Sequence, residues 1–296
     1  MSGIKRILNN MRQASSLFWK GTFLSVRTLC AGDRDKFRNK SDKDVLFCGN
    51  GPSLSHVDLK KARNRGMEIA CVNFFPANNK VFFEVRPQYL FLMDQDFFKY
   101  TDNHPGSNEG SLRFGKLYDN LKKVDWNLEI IVPQGSRLPI HNECIKVTPI
   151  SKYTCYGDGA TRFLDMLYRH DLVLLGAQNV AIAAVFFLLH RTTGTIYLTG
   201  VDMTEYKNLI VDENNDAFMV NIHNYGTIKR STDHVIKKGE FYKLLGYYQR
   251  MFEQFYYLSR YAKRLNRTII NLTLESHIDV FDKKIIRELE ADGADD

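Results

Sequence analysis

Cysteine and long apolar runs are both scarce in this chain, and each scarcity closes a route. The five cysteines (Cys30, Cys48, Cys71, Cys144 and Cys155) are an odd, scattered set in 296 residues. They spell no disulfide framework, and none has a metal-ligand neighbour. Cys48 and Cys71 fall inside apolar runs and read as buried thiols, so a reducing cytoplasm is the expected compartment. The longest apolar run, Val180 to Leu189, is too short for the ~20 residues a membrane-crossing helix needs, and predicts a buried helix instead. Lys5 and Arg6 are not followed by a continuous apolar stretch, so no signal peptide is expected. Zinc-finger spacing, an aromatic RNA-binding signature and a long basic tract are all missing, which removes nucleic acid from the expected partners. There are no internal repeats.

What is present suits a folded chain that meets anions. Apolar residues make up 44% of the sequence, enough for a substantial core. A net charge of +7 and a pI near 9.0 favour nucleotides, acidic glycans or an anionic membrane surface. Residues 1–43 form a basic, partly amphipathic arm and linker, in which Ile4, Leu8, Met11, Phe18 and Leu24 mix with Lys5, Arg6, Arg12, Lys20 and Arg27. Such an arm is expected to pack on the body or on a second subunit of a homo-oligomer, with peripheral membrane contact as the alternative. Residues 44–296 are expected to form one domain.

That domain is organised around Asp44 to Leu54. The apolar run Val45 to Cys48 breaks into Gly49-Asn50-Gly51-Pro52-Ser53, and a helical pattern follows to about Arg65, with Gly66 as its stop. A strand–turn–helix unit of this kind can offer backbone N–H groups to a phosphate, and it can equally be an ordinary connection. Further strands are predicted at Glu68 to Val72, Tyr89 to Met93, Leu128 to Val132, Cys144 to Val147, Thr195 to Leu198 and Thr268 to Leu272. The first of these give a βαββ rhythm; Thr101 to Arg113 reads as loop. A buried helix is expected over Gln178 to His190 and a long aromatic one over Gly239 to Leu265, apolar around most of its circumference. Residues 204–238 are polar and aperiodic, a candidate lid. The fold class is α/β: Rossmann-like, a mostly parallel sheet flanked by helices, with a polar lid segment.

In open sheets of this class ligands sit outside the carboxyl ends of the strands. Here those ends are Gly49-Asn50-Gly51, Asn73, Asp94/Asp96, Gly200/Asp202 and Asn271/Thr273. Asparagine offers a donor and an acceptor without adding charge beside a phosphate, which suits a ribose or a pyrimidine edge; a turn-capping role would use the same residue. Asp94 and Asp96 could hold Mg²⁺ against a diphosphate, or alternate so that only one faces the site. In the polar segment His223 has the chemistry to take a proton from an acceptor hydroxyl, His234 competes for that role, and Tyr206 and Tyr225 can hydrogen-bond a departing phosphate. The turn lacks the lysine that a phosphate-binding loop of the triphosphate type carries.

Two of these motifs, Gly49-Asn50-Gly51-Pro52-Ser53-Leu54 and Leu198-Thr199-Gly200-Val201-Asp202, resemble those of the bacterial CMP-sialic-acid-dependent sialyltransferases of glycosyltransferase family 42. The order of elements is similar from about Asp44 to Phe281, including Asn73 in Val-Asn-Phe-Phe. The resemblance implies a Rossmann-like domain with a lid and a CMP-sugar donor held at Asn50, Gly51, Ser53 and Asn73. It also implies transfer to a glycan or glycolipid acceptor without a metal cofactor. A lid histidine would be the base (His223, with His234 second), and Tyr206 and Tyr225 the phosphate partners. Thr204 departs from the pattern, which has a tyrosine soon after the strand-end aspartate, and so does the run Asp212-Glu213-Asn214-Asn215. The turn is also similar to that of archaeal-type 6-hydroxymethylpterin diphosphokinases, which would give Asp94 and Asp96 to Mg²⁺; a non-catalytic nucleotide-binding assembly subunit is the third reading.

Overall fold

The computed structural model describes residues 37, 40–99, 109–155, 162–176, 178–223, 226–231 and 237–285. Its centre is β1 (Val45–Cys48), four residues buried on both faces. A strand in that position must be apolar at every residue, because neither side meets water. Val45 and Phe47 enter one layer of the core, Leu46 and Cys48 the other. The same alternation runs through β2 (Glu68–Val72) and β3 (Tyr89–Phe91).

The main sheet has eight parallel strands. To one side of β1 lie β2, β3, β4 (Leu128–Pro133) and β5 (Ile145–Ile150). To the other lie β8 (Ile196–Thr199), β12 (Ile269–Asn271) and the short β13 (Asp282–Lys283). The chain thus departs in opposite directions from β1 and β8, leaving a crevice between their carboxyl ends. A separate parallel pair, β6 (Thr154–Cys155) with β7 (Leu174–Leu175), flanks this sheet. The fold is α/β and Rossmann-like.

Helices cover both faces. On one side pack α1 (Leu59–Asn64), α2 (Asn79–Val85) and α3 (Glu109–Lys122). On the other are α4 (Arg162–Arg169), α5 (Val180–Arg191) and α6 (Phe241–Arg264). In α5 every residue from Ala181 to His190 is buried, as a helix between a sheet and a second helix requires. His190 is tolerated there because it shares a hydrogen bond of 3.1 Å with the Tyr261 hydroxyl, and burial pushes its pKa down to about 3, which keeps it neutral.

Several sequence expectations need correction. The helix expected from Ser53 is broken: a 3-10 turn, Pro52–His56, ends at extended Val57, and α1 starts afresh at its N-cap Asp58, whose carboxylate accepts from Lys61 N–H. The βαββ rhythm is in fact βαβαβ, because α2 crosses between β2 and β3; its phenylalanines at 82 and 83 resemble strand residues in isolation. Residues 109–113, read as loop, begin α3. The long aromatic α6 is apolar on one face only. Leu244, Tyr248, Met251, Phe255 and Leu258 are buried at helical spacing, whereas Tyr242 and Tyr256 face solvent. The polar segment after β8 is not structureless: β9 (Leu209–Val211), β10 (Ala217–His223) and β11 (Gly226–Ser231) form an antiparallel sheet. Ahead of β1, Ser41 pairs with Thr192, and Phe37 packs on Phe187 and His190, so the described part of the expected linker lies on the body. Among the described residues no helix is long and apolar enough to cross a membrane.

Candidate functional site

The crevice between β1 and β8 is lined by the turns that leave these two strands, and the turns interlock. Gly49 and Gly51 donate their N–H groups to the carbonyls of Thr199 and Gly200, both at 2.8 Å. A Cβ on Gly51 would lie 1.7 Å from Asp202 Oδ2, and Gly200 has φ +67°. Only glycine lets the two backbones approach this closely.

The amides of the first turn, expected from sequence to face a phosphate, are instead largely spent inside the protein. Besides the two glycines, Ser53 N–H and its hydroxyl both reach the Asp202 carboxylate, the hydroxyl at 3.0 Å. Asp202 therefore takes the Ser53 donors that an anion at this turn would need. The physical reason is local: a buried carboxylate must find donors, and the turn supplies them. Burial nonetheless leaves the Asp202 pKa above its ordinary value, with the Ser53 bonds opposing that rise.

The polar network continues across the sheet. Ser53 Oγ is 3.2 Å from Thr273 Oγ1, and Thr273 N–H donates to Asn271 Oδ1 at 3.0 Å. Asn271 Nδ2 and Thr199 Oγ1, both buried, have no hydrogen-bond partner among the described residues. Asn50 reaches Val72 O with its Nδ2 at 3.4 Å, and the half-buried Asn73 sits in the left-handed region at φ 52°, a conformation asparagine accepts more readily than most residues. The structure thus brings Gly49, Asn50, Gly51, Ser53, Gly200, Asp202, Asn271 and Thr273 to one end of the sheet, with Asn73 at the rim and Pro52 starting the 3-10 turn.

The amino end of α5 faces the same end of the sheet. Asn179 caps it by accepting from Ala181 N–H at 2.8 Å, and its Nδ2 lies 3.3 Å from Met203 Sδ. Just before it, Gln178 N–H donates to Gln254 Oε1 at 3.0 Å, while Gln178 Oε1 and Gln254 Nε2 are buried without a partner among the described residues. Tyr206 stands on the 3-10 turn Glu205–Asn208, which leads directly into β9 of the three-stranded sheet. Its hydroxyl is 2.5 Å from His277 Nδ1. Glu205 beside it has a buried, unpartnered Oε2, and its pKa is raised by burial and then by the charge of Asp202.

Of the candidates in the polar segment, His223 pairs through its backbone with Gly226 at the end of the β10–β11 hairpin. Its side chain lies outside the described residues, as do Tyr225 and His234. Asp94 and Asp96 serve local roles: Asp94 Oδ1 caps Asp96 N–H at 3.0 Å, and Asp96 pairs with Lys99 at 3.0 Å. Among the described residues no group of three or more His, Cys, Asp or Glu side chains is placed to share a metal ion. A cleft of about 790 Å³ opens from Asn50 and Phe74 between α1, α2 and α3, a volume within the usual range for small-molecule sites.

His277, Glu205 and Gln178 were not legible as site residues. None stands at a strand end or in a recognisable motif; loop folding after β12, the turn after β8 and the approach to α5 bring them in.

No family model matches the chain, and no curated protein matches it. Among solved structures, a mutant of the α-2,3/8-sialyltransferase CstII is similar, with a TM-score of 0.40 and 14% identity over 81% of this chain and 86% of that one. At that level the two share a loose course of the backbone, and nothing about substrate or reaction follows.

Proposed function

We propose that this protein is a glycosyltransferase that moves sialic acid or a related nonulosonate from a CMP-sugar to a glycan or glycolipid acceptor of the cell surface. The observation that carries the reading is the meeting of two motifs about 150 residues apart. Gly49-Asn50-Gly51-Pro52-Ser53-Leu54 and Leu198-Thr199-Gly200-Val201-Asp202, the two specific elements of the family resemblance, interlock across the switch-point crevice through Gly51, Gly200, Ser53 and Asp202.

The chemistry of the crevice agrees with a nucleoside monophosphate. Its part-exposed asparagines, Asn50 and Asn73, are neutral donors and acceptors suited to a base edge and ribose, with Asn271 and Thr273 buried in the adjoining polar network. The turn has neither a lysine nor spare glycine amides for a triphosphate. A single phosphate is left to the hydroxyls of Tyr206 and Tyr225. In this reading His223 removes the acceptor proton, with His234 as the competing base. The acceptor oxygen attacks the anomeric carbon as the bond to the CMP phosphate breaks, and charge on the departing CMP is held by hydroxyl donors. The reaction takes place in the cytoplasm, where the net charge of +7 helps gather an anionic donor. The pterin diphosphokinase alternative asks Asp94 and Asp96 to share a cation; Asp94 accepts from Asp96 N–H and Asp96 pairs with Lys99 at the surface.

A thermal-shift panel with CMP, UDP, GDP and ATP, each with and without Mg²⁺, tests the reading. CMP at 100 times its Kd should stabilise the fold by about 2.7 kcal/mol. Stabilisation by ATP with Mg²⁺ and none by CMP would overturn it in favour of the diphosphokinase. Binding of CMP without turnover of any CMP-sugar would favour the assembly subunit.

A further inference from the structure

We propose that His277 is a positioning residue that aims the Tyr206 hydroxyl at the phosphate leaving the donor, a role that rests on the CMP-sugar reading above. The Tyr206 ring is boxed in on several sides: by Tyr248 at 5.9 Å and Phe252 at 6.0 Å, both on α6, and by His277 at 5.3 Å between ring centroids. With the ring so fixed, only the hydroxyl hydrogen still chooses a direction. Its one polar partner among the described residues is His277 Nδ1.

The imidazole is itself anchored. His277 N–H donates to Asp202 O at 2.9 Å, and the preceding Ser276 hydroxyl donates to Val201 O at 2.7 Å. Lys283 Nζ ties down the same loop through the carbonyls of Leu274 and Ser276, at 2.8 and 2.6 Å. The loop after β12 is therefore fastened to the residues following β8, one of which is the carboxylate that holds the first turn. Tyr206, by contrast, starts the segment that carries the lid sheet. The pair joins a fixed wall of the crevice to the root of its lid.

A phenol can accept one hydrogen bond while donating another. With a proton on Nδ1, His277 donates to the Tyr206 oxygen, and the Tyr206 O–H is free to donate to an anion. Within the Tyr206–His277 pair no proton changes hands. As the acceptor oxygen bonds to the anomeric carbon and gives its proton to the base, the bond from that carbon to the CMP phosphate breaks. The phosphate oxygen keeps the electron pair, and the phenol stays protonated and donates to that oxygen. Without His277 the hydroxyl still fits the site but loses the partner that sets its direction, so the loss falls on turnover more than on binding.

The test uses the full chain with CMP-N-acetylneuraminic acid and a glycan acceptor, measuring kcat and donor KM for Tyr206→Phe, His277→Ala, His277→Asn and the Tyr206→Phe/His277→Ala double variant. A hydrogen bond to a charged oxygen corresponds to a loss of about 10- to 100-fold. Tyr206→Phe and His277→Ala should each lower kcat by about that factor, with donor KM within about threefold of the parent. The double variant should be no worse than the poorer single one, because the residues act as one unit. His277→Asn, whose amide reaches the place of Nδ1, should restore most of the rate. Melting curves within a few degrees of the parent exclude a folding loss, and His277→Asn keeps the test decisive if His277→Ala melts early. Turnover in the parent with kcat unchanged in His277→Ala, or losses that multiply in the double variant, would overturn the positioning role alone. If neither CMP binding nor CMP-sugar turnover is found in the parent, the donor reading and this role both fall.

Discussion

The turn after β1 and the segment after β8 face each other across one crevice, yet they are built on opposite plans. The first spends its polar groups internally: Gly49, Gly51 and Ser53 all bond to the end of β8 or the chain that follows it. The second leaves a buried group uncommitted, Glu205 Oε2, and leads into a three-stranded antiparallel sheet. The difference teaches that a glycine-rich turn can be a keystone rather than a cradle. Its glycines serve backbone-to-backbone approach and its anion is the protein's own Asp202. Under the proposed function, recognition would pass to side chains at the neighbouring strand ends, and chemistry to the segment after β8. Substitutions on the two sides should accordingly fail in different ways.

The largest effect is expected on the lid. His223→Ala should lower turnover of a CMP-sugar by about 10²- to 10⁴-fold, the usual contribution of a general base, while leaving the melting temperature and CMP affinity near those of the parent. His234→Ala, assayed in parallel, assigns the base: whichever variant carries the larger kcat loss with donor binding intact held the role. Near-normal turnover in His223→Ala would move the base elsewhere.

On the keystone side the expected loss is one of stability. Gly51→Ala would push a methyl group into the Asp202 carboxylate and the Gly200 carbonyl, at 1.7 and 2.7 Å from its Cβ. Relieving that clash means parting the β1 and β8 turns, at about 2–3 kcal/mol on the usual scale for overpacking. Urea unfolding reads it as a lower midpoint with an unchanged slope. A variant as stable as the parent would mean that the turns are not interlocked in solution.

The same contrast explains what the sequence disclosed. Strands buried on both faces, such as Val45 to Cys48 and Ile196 to Leu198, announce themselves because apolar residues dominate there. The two glycine turns were legible because close backbone approach restricts the residue type. The direction of the turn's amides was not, since Asp202 reaches Ser53 across a separation of 149 residues. Nor was α2, whose Phe82 and Phe83 suit a strand as well as a helix. The segment after β8 hid its first strand because Ile210 and Val211 lie exposed and show no apolar alternation. His277 escaped notice because its partner, Tyr206, is 71 residues away and only the folded loop brings them together.

The smallest expected effect is also the most diagnostic of a keystone. Burial holds the Asp202 carboxyl above its ordinary value of 3.8 in the folded protein. Between these two values the folded chain binds more protons at this position than the unfolded chain does. The ionised carboxylate is thus a cost at neutral pH, and the folded state gains from this residue as pH falls through the raised value toward 3.8. Asp202→Asn keeps an oxygen for Ser53 but removes the titration. At pH 7 the variant should match or slightly exceed the parent in urea stability. As pH is lowered toward 4, the parent should gain relative to the variant, by an amount that grows until the carboxyl is protonated in both states. A parent that instead loses ground to the variant over this range would show that the turn favours the charged form. Such a turn would bind anions as the simple phosphate reading expects, and the contrast between keystone and lid would then have to be drawn elsewhere.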